Sequence, residues 1–168
     1  KFYNKKMKKI SFFLILLIFL INISGCAGYK PIFSSSNLEF KIVDYSISGD
    51  KKLGNLIYSK LFNYSKPNEN VPEANKIYIL IHSSQNKKAT AKNSTGKILG
   101  YKINVSTAIT VKNLMTGNKI LNETFSYSST YKTQDEFYET RKLEDQTIEN
   151  LINTTSQDLL IKLSENLL

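Results

Sequence analysis

The most regular pattern of hydrophobic and polar positions lies between residues 101 and 131. Apolar or aromatic side chains occupy most of the alternate positions there, first from Tyr101 to Val111 and again from Leu121 to Tyr131. Thr107, Glu123 and Ser129 are the exceptions. A period of two is typical of a strand that packs one face and presents the other to water. Residues 116–118 (Thr-Gly-Asn) separate the two runs and predict a turn, so the pattern indicates a β-hairpin.

Two further strands are predicted ahead of this hairpin. The stretch from Leu38 to Ile47 is rich in β-branched and aromatic residues and ends at the turn residues 48–50 (Ser-Gly-Asp). The run from Ile77 to Ile81 is apolar on both sides, as in a central strand.

Helical spacing occurs in two places. After Asp50, a suitable N-cap, apolar positions recur on one face until Pro67; they are Leu53, Leu56, Ile57, Leu61 and Tyr64. From Thr133 onward a second set marks a long helix: Ile148, Leu151, Ile152, Leu159, Leu163 and Leu167. Residues 154–156 (Thr-Thr-Ser) are expected to weaken the middle of this helix.

The order of these elements is strand, helix, strand, hairpin, helix. Such a chain buries all its apolar faces when both helices cover one face of a small sheet. The sequence therefore predicts an α+β fold, a two-layer sandwich in which two helices pack on a mostly antiparallel four-stranded sheet. One domain is expected, spanning residues 38–168.

The first 25 residues have the layout of a secretory signal peptide. A basic flank at residues 5–9 precedes an apolar run from Ile10 to Ile21, and small residues follow it. A membrane-spanning helix needs roughly 20 apolar residues, so this run is too short to favour one. Because Met7 resembles a natural start, residues 1–6 are expected to lie ahead of the translated protein.

Residues 23–26 (Ile-Ser-Gly-Cys) resemble the lipobox of bacterial lipoproteins. Cys26 is the only cysteine of the chain and follows the signal-like run directly. We therefore predict that Cys26 is lipidated, becomes the new N-terminus, and is joined to the domain by a tether over residues 26–37. The alternative is a buried free cysteine. The acyl chains of a lipidated cysteine would hold the protein on a membrane.

Catalytic chemistry has little support in the sequence. The chain has one histidine, His82, and it lacks a Gly-rich phosphate loop and a metal-ligand cluster. Asp135, Glu136 and Glu139 lie at the predicted start of the long helix, where the helix dipole accounts for acids. We expect no enzyme activity, no cofactor and no metal site.

Positive charge is concentrated in one segment. The net charge of +9 falls to +4 after Cys26, because five of the lysines lie in the leader. Residues 87–97 are rich in lysine and are expected to form the loop between the second and third strands, presenting a positive surface. That loop is either a solvated connection or a site for an anionic partner. A nucleic acid is not expected as that partner outside the cytoplasm.

The whole chain from residue 23 onward resembles the LptE family of lipopolysaccharide-assembly lipoproteins. The resemblance rests on residues 25–33 (Gly-Cys-Ala-Gly-Tyr-Lys-Pro-Ile-Phe), the strand from Tyr101 to Val111, the Thr116-Gly117 hairpin, and residues 126–128 (Ser-Tyr-Ser) before Tyr131. An acidic start to a long C-terminal helix completes the order.

This resemblance implies a non-enzymatic role at the outer membrane. It implies a small sheet packed by two helices that plugs a β-barrel of the LptD type, assists lipopolysaccharide insertion and binds lipopolysaccharide. Carried over by position, the candidate lipopolysaccharide-binding residues are Lys87, Lys88, Lys92, Lys97 and Lys102. The only arginine is Arg141, and lysine grips phosphate less firmly than arginine does, so weak binding is expected.

Two further points bear on location and role. Ala27 follows the cysteine where an aspartate would retain an enteric lipoprotein at the inner membrane, which favours the outer membrane, with the domain facing the periplasm. The alternative role is a free-standing periplasmic lipoprotein that binds an anionic glycolipid or glycan without a barrel.

Overall fold

Six elements form the fold of the protein, for which we use a computed structural model that describes residues 40–65, 72 and 75–167. They are strand β1 (Lys41–Gly49), helix α1 (Lys51–Phe62), strands β2 (Lys76–Lys92), β3 (Ile98–Asn113) and β4 (Lys119–Lys132), and helix α2 (Phe137–Leu167). The predicted signal peptide, Cys26 and the tether lie outside the described residues. The part of the chain that the structure describes contains no helix long and apolar enough to cross a membrane.

The four strands form one sheet in the order β1-β2-β3-β4. β1 runs parallel to β2, whereas β2 with β3 and β3 with β4 are antiparallel. Both helices pack on the sheet and contact each other. The structure therefore confirms the predicted α+β fold with a mostly antiparallel four-stranded sheet and two helices.

The hydrophobic core lies between the helices and the inner face of the sheet. The predicted alternation in β3 is confirmed, since Ile103, Val105, Ile109 and Val111 are buried in this core. The helices contribute Leu53, Ile57, Leu61, Leu151, Ile152, Leu159, Leu160 and Leu163. Burial of this continuous apolar surface is the main term that stabilises the sandwich.

Helix α1 is positioned by its first residues. The Asp50 side chain accepts a hydrogen bond from the Leu53 N–H at 3.2 Å, as an N-cap should. Gly49, before it, has a φ of +74°, and a Cβ there would lie 2.2 Å from the Ser83 carbonyl oxygen. Only glycine combines that backbone conformation with so close an approach of two chains.

Two elements differ in detail from those predicted. α1 ends at Phe62, so Tyr64 is outside it, and Leu56 is exposed rather than buried. α2 continues through residues 154–156, where Thr155 is buried and its hydroxyl donates to the Leu151 carbonyl, so the expected weakness of this stretch stays a prediction. β2 continues to Lys92, far past the predicted end near Ile81.

Candidate anion-binding surface

The five lysines predicted to bind an anion do not lie on one loop. Lys87, Lys88 and Lys92 belong to β2, so the predicted loop over residues 87–97 is wrong as far as Lys92. Lys102 belongs to β3, in the strand where it was predicted. Only Lys97 lies in the turn between these strands. The turn is held by the Asn93 side chain, which accepts hydrogen bonds from the N–H groups of Thr95 and Lys97.

Strand geometry separates these lysines because successive side chains point to opposite faces of a sheet. Lys87 points toward α2, whose Glu144 it contacts. Lys88 and Lys102 are directly opposite each other on β2 and β3, on the other face. We call that second face the open face; its exposed and half-buried polar residues include Ser84, Asn86, Lys88, Lys102, Asn104, Ser106, Thr124, Ser126 and Ser128.

Lys87 is held by several partners. Its Nζ donates to Glu144 Oε2 at 2.6 Å and lies 4.2 Å from the centre of the Tyr101 ring. The Tyr131 hydroxyl donates to the same Glu144 oxygen at 3.0 Å. These contacts make Lys87 part of the joint between the sheet and α2.

The protonation equilibria of this cluster follow from the same contacts. Burial alone would lower the pKa of Lys87, but its hydrogen bonds and charge interactions with Glu144 and Tyr131 outweigh burial and raise it. Burial alone would raise the pKa of Glu144, but the hydrogen bonds from Lys87 and Tyr131 lower it. Burial raises the pKa of the Tyr131 hydroxyl. Lys87 and Glu144 are therefore both charged at neutral pH.

A cleft of about 310 Å³ beside this cluster also contains acids. It is lined by Lys87, Lys97, Ile98, Tyr101, Thr133, Gln134, Asp135, Phe137, Thr140, Arg141 and Glu144. Lys97 Nζ lies 3.6 Å from Asp135 Oδ1. An anion that entered this cleft would meet two carboxylates along with the cations, which makes it a poor anion site.

The open face carries a better candidate for an anion site, formed by two pairs of residues on β2 and β3. Asn86 is opposite Asn104, and Lys88 is opposite Lys102. Of the residues that the structure describes, these four line a depression of about 210 Å³. Two ammonium groups and two amides supply hydrogen-bond donors with no carboxylate among them. We call this group the Asn-Lys quartet.

The electrostatics of the Asn-Lys quartet favour a bound anion. Like charges placed directly opposite each other on neighbouring strands are destabilising. Within the described ranges, neither Lys88 nor Lys102 forms an ion pair. A phosphate or carboxylate between them would remove the repulsion and gain charge-assisted hydrogen bonds.

Sequence reasoning found the two lysines of this quartet but missed Asn86 and Asn104. The information was present, because a turn centred on residues 93–97 places residues 86 and 88 near residues 104 and 102. That inference needed β2 to continue beyond its apolar part. Lys92, the remaining candidate, is exposed near the end of β2 and belongs to neither cleft.

The described residues show one contact between a serine and the histidine. Ser48 Oγ lies 2.9 Å from His82 Nδ1, in an exposed position. No group of three or more His, Cys, Asp or Glu residues that could hold a metal ion occurs in residues 40–65, 72 and 75–167. The absence of enzyme activity stays a prediction.

Comparison with known proteins identifies relatives in structure only. No family model and no curated protein matches the sequence. The fold is similar to that of rare lipoprotein B from Shewanella oneidensis, with 17% sequence identity, a TM-score of 0.51, and coverage of 73% of this chain and 95% of that one.

Two other solved lipoproteins show the same likeness. Lipoprotein B from Nitrosomonas europaea has 12% identity and a TM-score of 0.55, covering 79% of this chain and 88% of that one. A minor lipoprotein from Acinetobacter baumannii has 12% identity and a TM-score of 0.53, covering 77% and 94%. The protein thus shares the fold of several bacterial lipoproteins.

Proposed function

We propose that this protein is an outer-membrane lipoprotein of lipopolysaccharide assembly. In this proposal it is anchored through lipid on Cys26, faces the periplasm, and plugs the β-barrel that inserts lipopolysaccharide. It assists that barrel without breaking a bond. The likeness of its fold to three proteins named as lipoproteins supports the proposal. So does the lipobox-like sequence before Cys26.

The observation that carries the proposal is the chemistry of the open face. Ser, Thr and Asn side chains dominate this face, and its lysines include the Asn-Lys quartet. The interior of an outer-membrane barrel is polar, so such a face can contact the barrel wall or the water inside it. The phosphate groups of lipopolysaccharide match the two ammonium groups and two amides of the quartet.

The plug role is tested by isolating the tagged protein from membranes solubilised in mild detergent. Co-purification of a large outer-membrane β-barrel is expected for the wild type. The Cys26→Ala variant is expected to lose membrane retention and keep its affinity for the barrel, which separates the anchor from the assembly. Recovery of monomer alone, in several mild detergents, would exclude the plug role.

The binding role is tested separately with purified lipopolysaccharide and unlipidated protein. We expect the Lys88→Gln/Lys102→Gln double variant to bind about tenfold more weakly, since two charge-assisted contacts are lost. The matched control is Lys51→Gln/Lys52→Gln, which removes two exposed lysines at the start of α1. Equal affinity in both double variants would remove the Asn-Lys quartet from the proposal.

The Asn-Lys quartet also supports a second candidate function. It is formed by one chain, so it can bind an anion without a barrel. A free-standing periplasmic lipoprotein that binds an anionic glycolipid or glycan would then be the function. Quartet-dependent binding in the isolated protein, with no barrel recovered from membranes, favours this candidate over the plug.

A further inference from the structure

The β2–β3 turn and the β3–β4 turn lie at opposite ends of the sheet, and β1 begins at only one of these ends. β2 has seventeen residues and, at about 3.3 Å per residue, places the β2–β3 turn roughly 50 Å from the β3–β4 turn. β1 is parallel to β2 and pairs Lys41 with Lys76, the first residue of β2. The Leu114 N–H, in the β3–β4 turn, donates to the Lys76 carbonyl at 2.9 Å. The chain ahead of β1 therefore joins the domain at the end that carries the β3–β4 turn.

The β3–β4 turn presents two apolar side chains to solvent. Leu114 is 41% exposed and Met115 is 69% exposed. The turn is well held, because the Asn113 side-chain oxygen accepts hydrogen bonds from the N–H groups of Met115 and Thr116 at 2.9 and 2.8 Å. Gly117, with a φ of +68°, closes it by donating its N–H to the Asn113 carbonyl. The exposure of Leu114 and Met115 is thus fixed by the local structure.

Lysines surround these apolar side chains. Lys112 and Lys119 are opposite each other at the base of the turn, and residues 110–122 contain no acid. Lys41 lies beside Lys76 on the adjacent strands. Within the part of the chain that the structure describes, Lys41, Lys112 and Lys119 form no ion pair. Exposed apolar groups ringed by cations are the combination that binds the interface of an anionic bilayer.

We propose that the β3–β4 turn is a second membrane contact, in which Leu114 and Met115 enter the interface of a phospholipid bilayer while Lys112 and Lys119 contact lipid phosphates. The proposal rests on the lipid anchor at Cys26 proposed above. Thirteen residues separate Cys26 from Phe40 and span at most about 45 Å. An anchor that joins the domain at this end keeps the turn close to the bilayer, so even weak contacts there are formed at high effective concentration.

This contact would orient the domain. A single flexible tether leaves a domain free to rotate, whereas a second contact fixes which end faces the membrane. The β2–β3 turn would then point away from the bilayer surface that holds the lipid. The Asn-Lys quartet, near that far turn, would lie several tens of ångströms from this surface.

The test measures binding to vesicles by sedimentation, without a barrel and without the lipid anchor. The protein is the chain from residue 26 with Cys26→Ser, and the vesicles contain phosphatidylethanolamine with phosphatidylglycerol. We expect binding that weakens as salt is raised. The Leu114→Ser/Met115→Ser variant is expected to bind about tenfold more weakly or worse, because the inserted apolar area is lost. Lys112→Gln/Lys119→Gln is expected to weaken binding similarly and to reduce the salt dependence.

The matched control is Leu99→Ser/Tyr138→Ser, which removes two exposed apolar side chains outside the β3–β4 turn. Circular dichroism of each variant establishes that it is folded. Full binding by folded Leu114→Ser/Met115→Ser, or an equal loss in the control, would overturn the proposal.

The outcomes also separate this proposal from the proposed function. Vesicle binding that depends on Leu114 and Met115, with no barrel recovered from membranes, supports the contact and rejects the plug. Absence of vesicle binding, together with loss of the barrel from Leu114→Ser/Met115→Ser protein, would show that the turn docks on protein instead and would refute the membrane contact.

Discussion

Replacing Lys87 by methionine should destabilise the protein, whereas the same replacement of its neighbour Lys88 should not. Lys87→Met removes the 2.6 Å hydrogen bond to Glu144, whose side chain is only 12% exposed. A hydrogen bond to a charged group contributes about 1.5–3 kcal/mol, but about a third of the Lys87 side chain reaches water, which screens the pair. We therefore expect a loss of ~1–2 kcal/mol in the free energy of unfolding. Lys88→Met should change it by less than ~0.5 kcal/mol.

Thermal and urea unfolding, followed by circular dichroism, measure both variants under the same conditions. For a domain of this size, ~1–2 kcal/mol corresponds to a fall in Tm of about 4–8 °C for Lys87→Met. The double variant Lys87→Met/Glu144→Gln should recover part of the loss, because it removes the partly buried carboxylate that has lost its partner. Equal Tm values for Lys87→Met and Lys88→Met would refute the assignment of Lys87 to the joint between sheet and helix.

The pH dependence of the same pair gives an independent measurement. The folded state lowers the pKa of Glu144, so the pair's contribution is present above the unfolded pKa of about 4.3. It is lost as the pH falls through the folded pKa, because the protonated carboxyl of Glu144 no longer forms an ion pair with Lys87. The difference in stability between wild type and Lys87→Met should therefore shrink in acid. A constant difference down to strongly acidic pH would contradict this cause.

Substitutions at three other positions test the fold and the electrostatics. Gly49→Ala should lower the free energy of unfolding by ~2 kcal/mol or more, because its Cβ would lie 2.2 Å from the Ser83 carbonyl oxygen. Urea unfolding measures this loss. A loss smaller than that of Asp50→Ala would contradict the close approach of Gly49 to Ser83. Asp50→Ala should cost about 1 kcal/mol through loss of the N-cap, and Asp50→Asn should retain most of that stability. The Tyr127 hydroxyl donates to Asp158, and this bond, with burial, raises its pKa to about 12. The stability from that bond should persist below pH ~10 and disappear as the pH rises through the folded value. Tyr127→Phe should reduce the alkaline loss of stability without abolishing it, because burial also raises the pKa of Tyr131. An unchanged absorbance titration of phenolate in this variant would count against the assignment.

The elements that were predicted from the sequence are those in which burial of one face requires a periodic spacing of apolar residues. β3 alternates from Tyr101 to Val111 because one face is covered by the helices, and that alternation sets the face of each side chain. α1 was predicted from its cap and its apolar spacing, although Leu56 was placed on the wrong side. The buried face of α1 instead includes Gly54, where a Cβ would lie only 2.4 Å from Ile47 Cγ2.

The second half of β2 left no such pattern. After Ser83 the side chains on both faces are polar or are alanines, so nothing in residues 84–92 distinguishes a strand from a loop. This stretch is a strand because its backbone pairs with β3, from Ser84 opposite Ser106 to Lys92 opposite Ile98. Hydrogen bonding to a neighbouring strand is independent of side-chain polarity. The segment that carries the candidate lysines was therefore predicted as a loop, whereas most of them lie on paired strands.

The register of that pairing decides which lysines can bind a ligand. Because successive side chains of a strand point to opposite faces, Lys87 faces α2 and Lys88 lies on the open face. α2 carries six acids against three bases. The three strands β2, β3 and β4 together carry eight lysines and one acid. Their charge is neutralised in part on the helix side, as at Glu144, while the open face keeps its cations. A one-residue shift of β2 would exchange the two roles, so the cations that the open face presents are set by backbone register as much as by the choice of lysine.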